Sequence, residues 1–237
     1  MRRVGAETRV SRGGSIVIVA WIALADAQAE YQAIPLRGWT LQVDKALIED
    51  TKTWEAVQDE LDTQLFRITR TVPADALGKI RRITVWVHLK APWTRCMAYH
   101  PGAEFLREHD MNPKMAKGIE VGDAKTFLAW TLDQPWMVLH ELAHAYHDQD
   151  LEKGYDNAPI LDAFKAAKEK GLYSRVMGWK GPERDGYAET NQMEYFAELT
   201  EAYFGQNDMF PFVRGELAKH DTVGMRVVAE AWGVGKG

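Results

Sequence analysis

Hydrophobic positions recur along this chain with two periods, and the change from one to the other marks out the elements. Trp39, Leu41 and Val43 alternate with polar neighbours over residues 39–44 (WTLQVD), which predicts a strand. Trp54, Val57, Leu61, Leu65 and Ile68 then return at three- and four-residue steps, the stripe of an amphipathic helix ending before Pro73. Residues 82–89 (RITVWVHL), rich in β-branched and aromatic side chains, predict the strongest strand, with shorter ones at 96–100 and 118–121. Pro135 stands where a first helical position is expected and opens PWMVLHELAHAYHDQD. Trp136, Val138, Leu139, Leu142, Ala143 and Tyr146 wrap that helix in apolar groups, so it should be buried.

Ile160, Leu161, Phe164 and Ala167 mark a further amphipathic helix that Gly171 can cap. Residues 191–204 (NQMEYFAELTEAYF) predict another, with Asn191 as N-cap and Gly205 just past its end. Pieces after Pro211 also look helical. Strands lead and helices follow, which predicts an α+β domain: a small mixed or antiparallel sheet, then a helical half. No repeat, low-complexity tract or long linker divides residues 30–237, so one domain is expected.

The first 29 residues have a different character. Arg2, Arg3, Arg9 and Arg12 precede a short apolar run, SIVIVAWIAL, and then small residues that offer cleavage after Ala27 or Ala29. This is the order of a secretory signal peptide, and the run is too short for a comfortable membrane span. A secreted or periplasmic chain is therefore expected, without stable membrane association once the leader is removed. Removal takes away four of 29 basic and two of 34 acidic side chains, leaving 25 against 32. A mildly acidic chain has no electrostatic footprint for nucleic acid. Cys96 is the single cysteine, so no intrachain disulfide can form.

The candidate chemistry lies in residues 140–147, HELAHAYH. Residues four apart share a helix face, so His140 and His144 can present two imidazoles to one ion. Glu141 projects beside them, within reach of a water on that ion. This is the H-E-x-x-H arrangement, with zinc on the histidines and the glutamate as general base. Two buried imidazoles also need partners, and a metal satisfies both at once. Catalytic zinc usually takes three protein ligands and keeps one open position. Glu189, Glu194, Glu198 and Glu201 are candidates for the third, the last three along one face of the 191–204 helix.

His147 lies on the same face, about 10 Å along the axis from His140 at 1.5 Å per residue, too far to share the ion. A supporting place behind the ligands, or a surface one, is expected for it. Glu198 is expected to accept a hydrogen bond from the outer N–H of a ligand histidine. A lone cysteine near His100 invites a nucleophile assignment, but no orienting acid stands nearby in sequence, and Cys96 reads as a small hydrophobe. Trp39, Trp54, Trp86, Trp93, Trp130 and Trp136 read as core.

Tyr187 to Glu198, YAETNQMEYFAE, resembles the second metal helix of the anthrax lethal factor catalytic-domain family of zinc peptidases, a gluzincin-type group. That motif has a tyrosine, then T-N, then the ligand glutamate seven residues after the tyrosine, an aromatic pair and A-E; all are present here. The resemblance implies a zincin-like fold with His140, His144 and Glu194 as zinc ligands, Glu141 as base and Tyr187 as a donor at the active site. It covers about thirty residues, so substrate preference does not transfer. The chain is also similar to uncharacterised secreted bacterial proteins carrying HELAHAYH and EYFAE. Two functions follow as expectations: a secreted zinc metallopeptidase acting on peptide or protein substrates, or a secreted zincin-fold binding protein with structural zinc and no turnover.

Overall fold

The computed structural model describes residues 30–235; the expected leader lies outside the described residues. The chain starts with strands β1 (Tyr31–Leu36) and β2 (Trp39–Asp44), joined by a two-residue turn. Helices α1 (Lys45–Glu49), α2 (Thr51–Thr71) and α3 (Ala74–Ile80) follow. Next come β3 (Val85–Val87), β4 (Met97–Tyr99), α4 (Ala103–Glu108), β5 (Ile119–Val121) and α5 (Ala124–Trp130). The later part holds α6 (Met137–Asp150), α7 (Ala158–Glu169) and the hairpin β6 (Val176–Gly178) and β7 (Gly181–Arg184). It ends with α8 (Gln192–Phe204), α9 (Arg214–His220) and α10 (Thr222–Ala231).

Five strands form one mixed sheet in the order β1-β2-β3-β5-β4. β2, β3 and β5 run parallel, while β1 and β4 are antiparallel edges. The fold is thus α+β with a small mixed sheet. The parallel β2–β3 step needs a long crossover, which α1 to α3 provide. The front half is therefore less purely strand than its periodicity suggests.

Alternation sorts the two sheet faces. Leu41, Val43, Val85, Val87, Ile119 and Val121 are buried in the main core with α2, α6 and α8. Trp86 points the other way and packs with Leu106, Met111 and Met115 under the 101–118 segment. No described helix is long and apolar enough to cross a membrane.

Several boundaries differ from the periodicity. The expected 82–89 strand shrinks to Val85–Val87, because the N–H groups of Arg82 and Ile83 still bond back to Lys79 and Ile80 at the end of α3. Pro135 stands before the first helical position, which Met137 occupies with Trp136 as N-cap. Trp93 and Trp130 are 57% and 45% exposed, so those two rings are not core. Gly171 does cap α7 in the left-handed region, at φ +64°. Gly205 ends α8 at a negative φ, and its reason is space: a Cβ there would fall inside the Trp136 ring.

Candidate metal centre

Helix α6 is buried without interruption from Met137 to His147. Its first turn lacks a side-chain N-cap of its own, and Gln64 of α2 supplies one from outside, accepting from the Val138 N–H at 3.0 Å. Helix α8 packs alongside. Asn191 caps it by accepting from the N–H groups of Met193 and Glu194, both at 2.9 Å. This cap sets Glu194 in the first turn with its carboxylate turned to α6, rather than back to the Asn191 N–H as in a capping box.

One oxygen of Glu194 lies 3.1 Å from His140 Nε2 and 3.2 Å from His144 Nε2. The two rings are 4.8 Å apart and nearly perpendicular, at 78°. Ligand atoms about 2.0–2.1 Å from a tetrahedral zinc stand roughly 3.3 Å from one another, and the two distances from the Glu194 oxygen match that spacing. His140, His144 and Glu194 together could hold a metal ion. A second group, His140 with Glu198 and Glu201, lies on the other ring nitrogen of the same histidine.

The donor set also fits in charge. A cavity of about 650 Å³ opens on this wall, and Glu141, Glu194, Glu198, Glu201 and Asp208 line it with Arg184. Such an excess of carboxylates favours a cation. Burial works against ionising Glu194, but hydrogen bonds to His140 and His144 prevail and hold it well below the usual carboxylate range. Burial alone would lower the His140 pKa; Glu194 and Glu201 override it and hold that imidazole well above its ordinary value. Burial, reinforced by the neighbouring Glu201, pushes Glu198 up to about 8.

The remaining expected residues take distinct places. Glu141 is buried and faces the cavity, with no side-chain hydrogen bond among the described residues. Tyr187 sits on a short 3-10 turn just before α8, 48% exposed, its ring stacked on His140 at 6.4 Å. Glu198, expected to accept from a ligand histidine, stands 3.7 Å from His140 Nδ1, whereas Glu201 stands at 2.6 Å. Glu198 instead accepts from Asn207 at 3.0 Å. His147 is not at the surface: it is wholly buried between Tyr155 and Phe196, and neither ring nitrogen has a hydrogen-bond partner. Burial, then the nearby His144, lowers its pKa to about 4. Cys96 also lines the cavity; its thiol donates to Met137 Sδ at 3.2 Å, and burial pushes it up to about 12. A thiol so hard to ionise is no nucleophile.

The sequence pattern predicts the short strand at 96–100, but not its place at the opposite rim of the cavity. Edge strand β4 lines it, along with Trp130, Asp208 and Met209. Cys96 O accepts from Gly122 N at 2.7 Å and His100 N donates to Gly118 O at 3.0 Å, so those residues face β5. By the antiparallel alternation, the backbones of Met97 and Tyr99 face away from the sheet, beside the cavity. Comparisons of the chain with known protein families, curated proteins and solved structures find no match.

Proposed function

We propose that this chain is a zinc-dependent peptidase of zincin type, working outside the cytoplasm. The observation that carries the proposal is the convergence of His140 Nε2, His144 Nε2 and one Glu194 oxygen on the wall of an open cavity, with Glu141 on the same wall. A purely structural site closes all its positions with protein. The open cavity favours turnover over the binding-protein alternative. Edge strand β4 favours a peptide as substrate, because unpaired main-chain groups beside the site can add an extended segment as a further strand. Secretion is supported by the basic, apolar and small-residue order of residues 1–29.

When bound, zinc supplies Lewis acidity, which lowers the pKa of a water it holds towards about 7. Glu141 takes the proton that the water gives up on attacking the peptide carbonyl, and returns it to the leaving amine. Burial, and then Glu194, raises the Tyr187 phenol above its ordinary value, so it stays protonated at neutral pH and can donate to the developing oxyanion.

The test is zinc content and casein hydrolysis, with and without chelator. About one zinc per chain and chelator-sensitive hydrolysis are expected. Glu141→Gln should keep the metal and lose roughly a hundred- to ten-thousandfold in turnover. Tyr187→Phe should lower kcat on the order of a hundred- to a thousandfold, with KM little changed. Stoichiometric zinc without hydrolysis of casein or a peptide library would establish the binding protein instead. A wild-type chain that takes up no zinc would end the metal assignment.

A further inference from the structure

We infer that Glu201, seven residues after the proposed metal ligand, is the positioning residue for His140, and that Glu198 is not. This rests on the proposal that His140 Nε2 faces a metal. An imidazole that gives its Nε2 lone pair to a cation carries its proton on Nδ1, and that N–H needs an acceptor to fix the tautomer and the ring plane. Two carboxylates of α8 are near Nδ1. At 2.6 Å Glu201 is within hydrogen-bond distance, and at 3.7 Å Glu198 is not.

Helix geometry explains the choice. Residues seven apart on an α-helix return to within about 20° of the same direction, whereas those four apart are offset by about 40°. Glu194 and Glu201 therefore share one line along α8, and His140 lies between them, with Nε2 3.1 Å from the first and Nδ1 2.6 Å from the second. Glu198 is turned aside and anchored by the Asn207 amide at 3.0 Å.

A second contact holds the spacing. Trp136, one turn before His140, presses on Gly205, one turn after Glu201, with no room for a Cβ between them. Helices α6 and α8 are thus pinned together beside the Glu201–His140 hydrogen bond.

The experiment measures zinc dissociation constants by chelator competition for wild type, Glu201→Gln and Glu198→Gln, and records the His140 Nδ1 proton by NMR in the metal-free chains. Both substitutions exchange a buried carboxyl group near the metal for an amide of the same shape, so the second controls for the change of side chain itself. Glu201→Gln should weaken zinc by about 10–100-fold, the usual cost of losing such an acceptor. Glu198→Gln should stay within about threefold, well short of that range. The Nδ1 resonance should be present in wild type and Glu198→Gln, and shifted or lost in Glu201→Gln. Equal weakening by the two substitutions, or a larger effect at Glu198, overturns the inference. A wild type that binds no zinc refutes the metal proposal alone; the NMR signal then decides whether Glu201 holds the ring.

Discussion

His140, His144 and Glu194 meet between two helices, while His88, His100 and Glu120 meet across three strands, on the sheet face turned away from α6. Both sets contain two histidines and a glutamate, and both are largely buried. Their lone pairs are spent differently. A single oxygen of Glu194 serves both imidazoles, at 3.1 and 3.2 Å, beside a cavity. Glu120 divides its oxygens: one takes His100 at 2.8 Å together with the Thr94 hydroxyl, the other faces His88 at 3.1 Å. The first set converges on a point that an ion could fill. The second diverges from a carboxylate that is 0% exposed: its hydrogen bond with His100 ties β5 to the end of β4, while His88 Nε2 and the oxygen facing it make no hydrogen bond. Composition and burial are alike; direction and access separate a site from a clasp.

The largest effect should come from exchanging losses between the sets. His140→Ala or Glu194→Ala should take zinc from about one per chain to near zero, measured by elemental analysis of purified protein. His88→Ala and His100→Ala should leave that stoichiometry unchanged, and zinc loss from either in a folded chain would break the comparison. Next in size is stability. Glu120→Leu leaves the buried His100 imidazole and the Thr94 hydroxyl without their shared acceptor and should cost about 1–3 kcal/mol for each group left unpaired, read in urea unfolding of the metal-free chain. Glu194→Leu should cost less than half as much, because water in the cavity can replace the lost partner.

His147 sharpens the comparison at the smallest scale, being buried at least as deeply as His140 and His144 yet converging on nothing. Its folded pKa, about 4, lies below the ordinary 6.5. Its contribution is therefore fully present above pH 6.5 and is lost as pH falls towards 4, a loss of about 3 kcal/mol by pH 4. His88, lowered by burial against the pull of Glu120, acts in the same sense. His147→Phe should change stability at pH 7 by about 1 kcal/mol or less. It should also flatten the acid limb of a pH–denaturation series, and an unchanged limb would show that His147 is not the group titrating.

The helix set was legible because its information is local. The four-residue step from His140 to His144 and the Asn191 cap are read within single helices, where a 3.6-residue period fixes which side chains share a face. Even Glu201 could be found that way, from its seven-residue step after Glu194. The strand set was not legible, since His88, His100 and Glu120 come together only through the β3-β5-β4 order, which no short-range pattern encodes. The same holds for the place of edge strand β4 beside the cavity. Short strands of three residues carry too little alternation to reveal their neighbours.

Cys96 has a practical consequence. It is the chain's single cysteine, and its thiol is buried against Met137 and stays protonated far above neutral pH. Thiol-directed dyes and spin labels should therefore pass it by in the folded protein. A cysteine introduced at Leu132, 78% exposed and two residues from the cavity-lining Trp130, would be the one reactive handle on the molecule. A label there could follow peptide entering the cleft without first engineering a cysteine-free background.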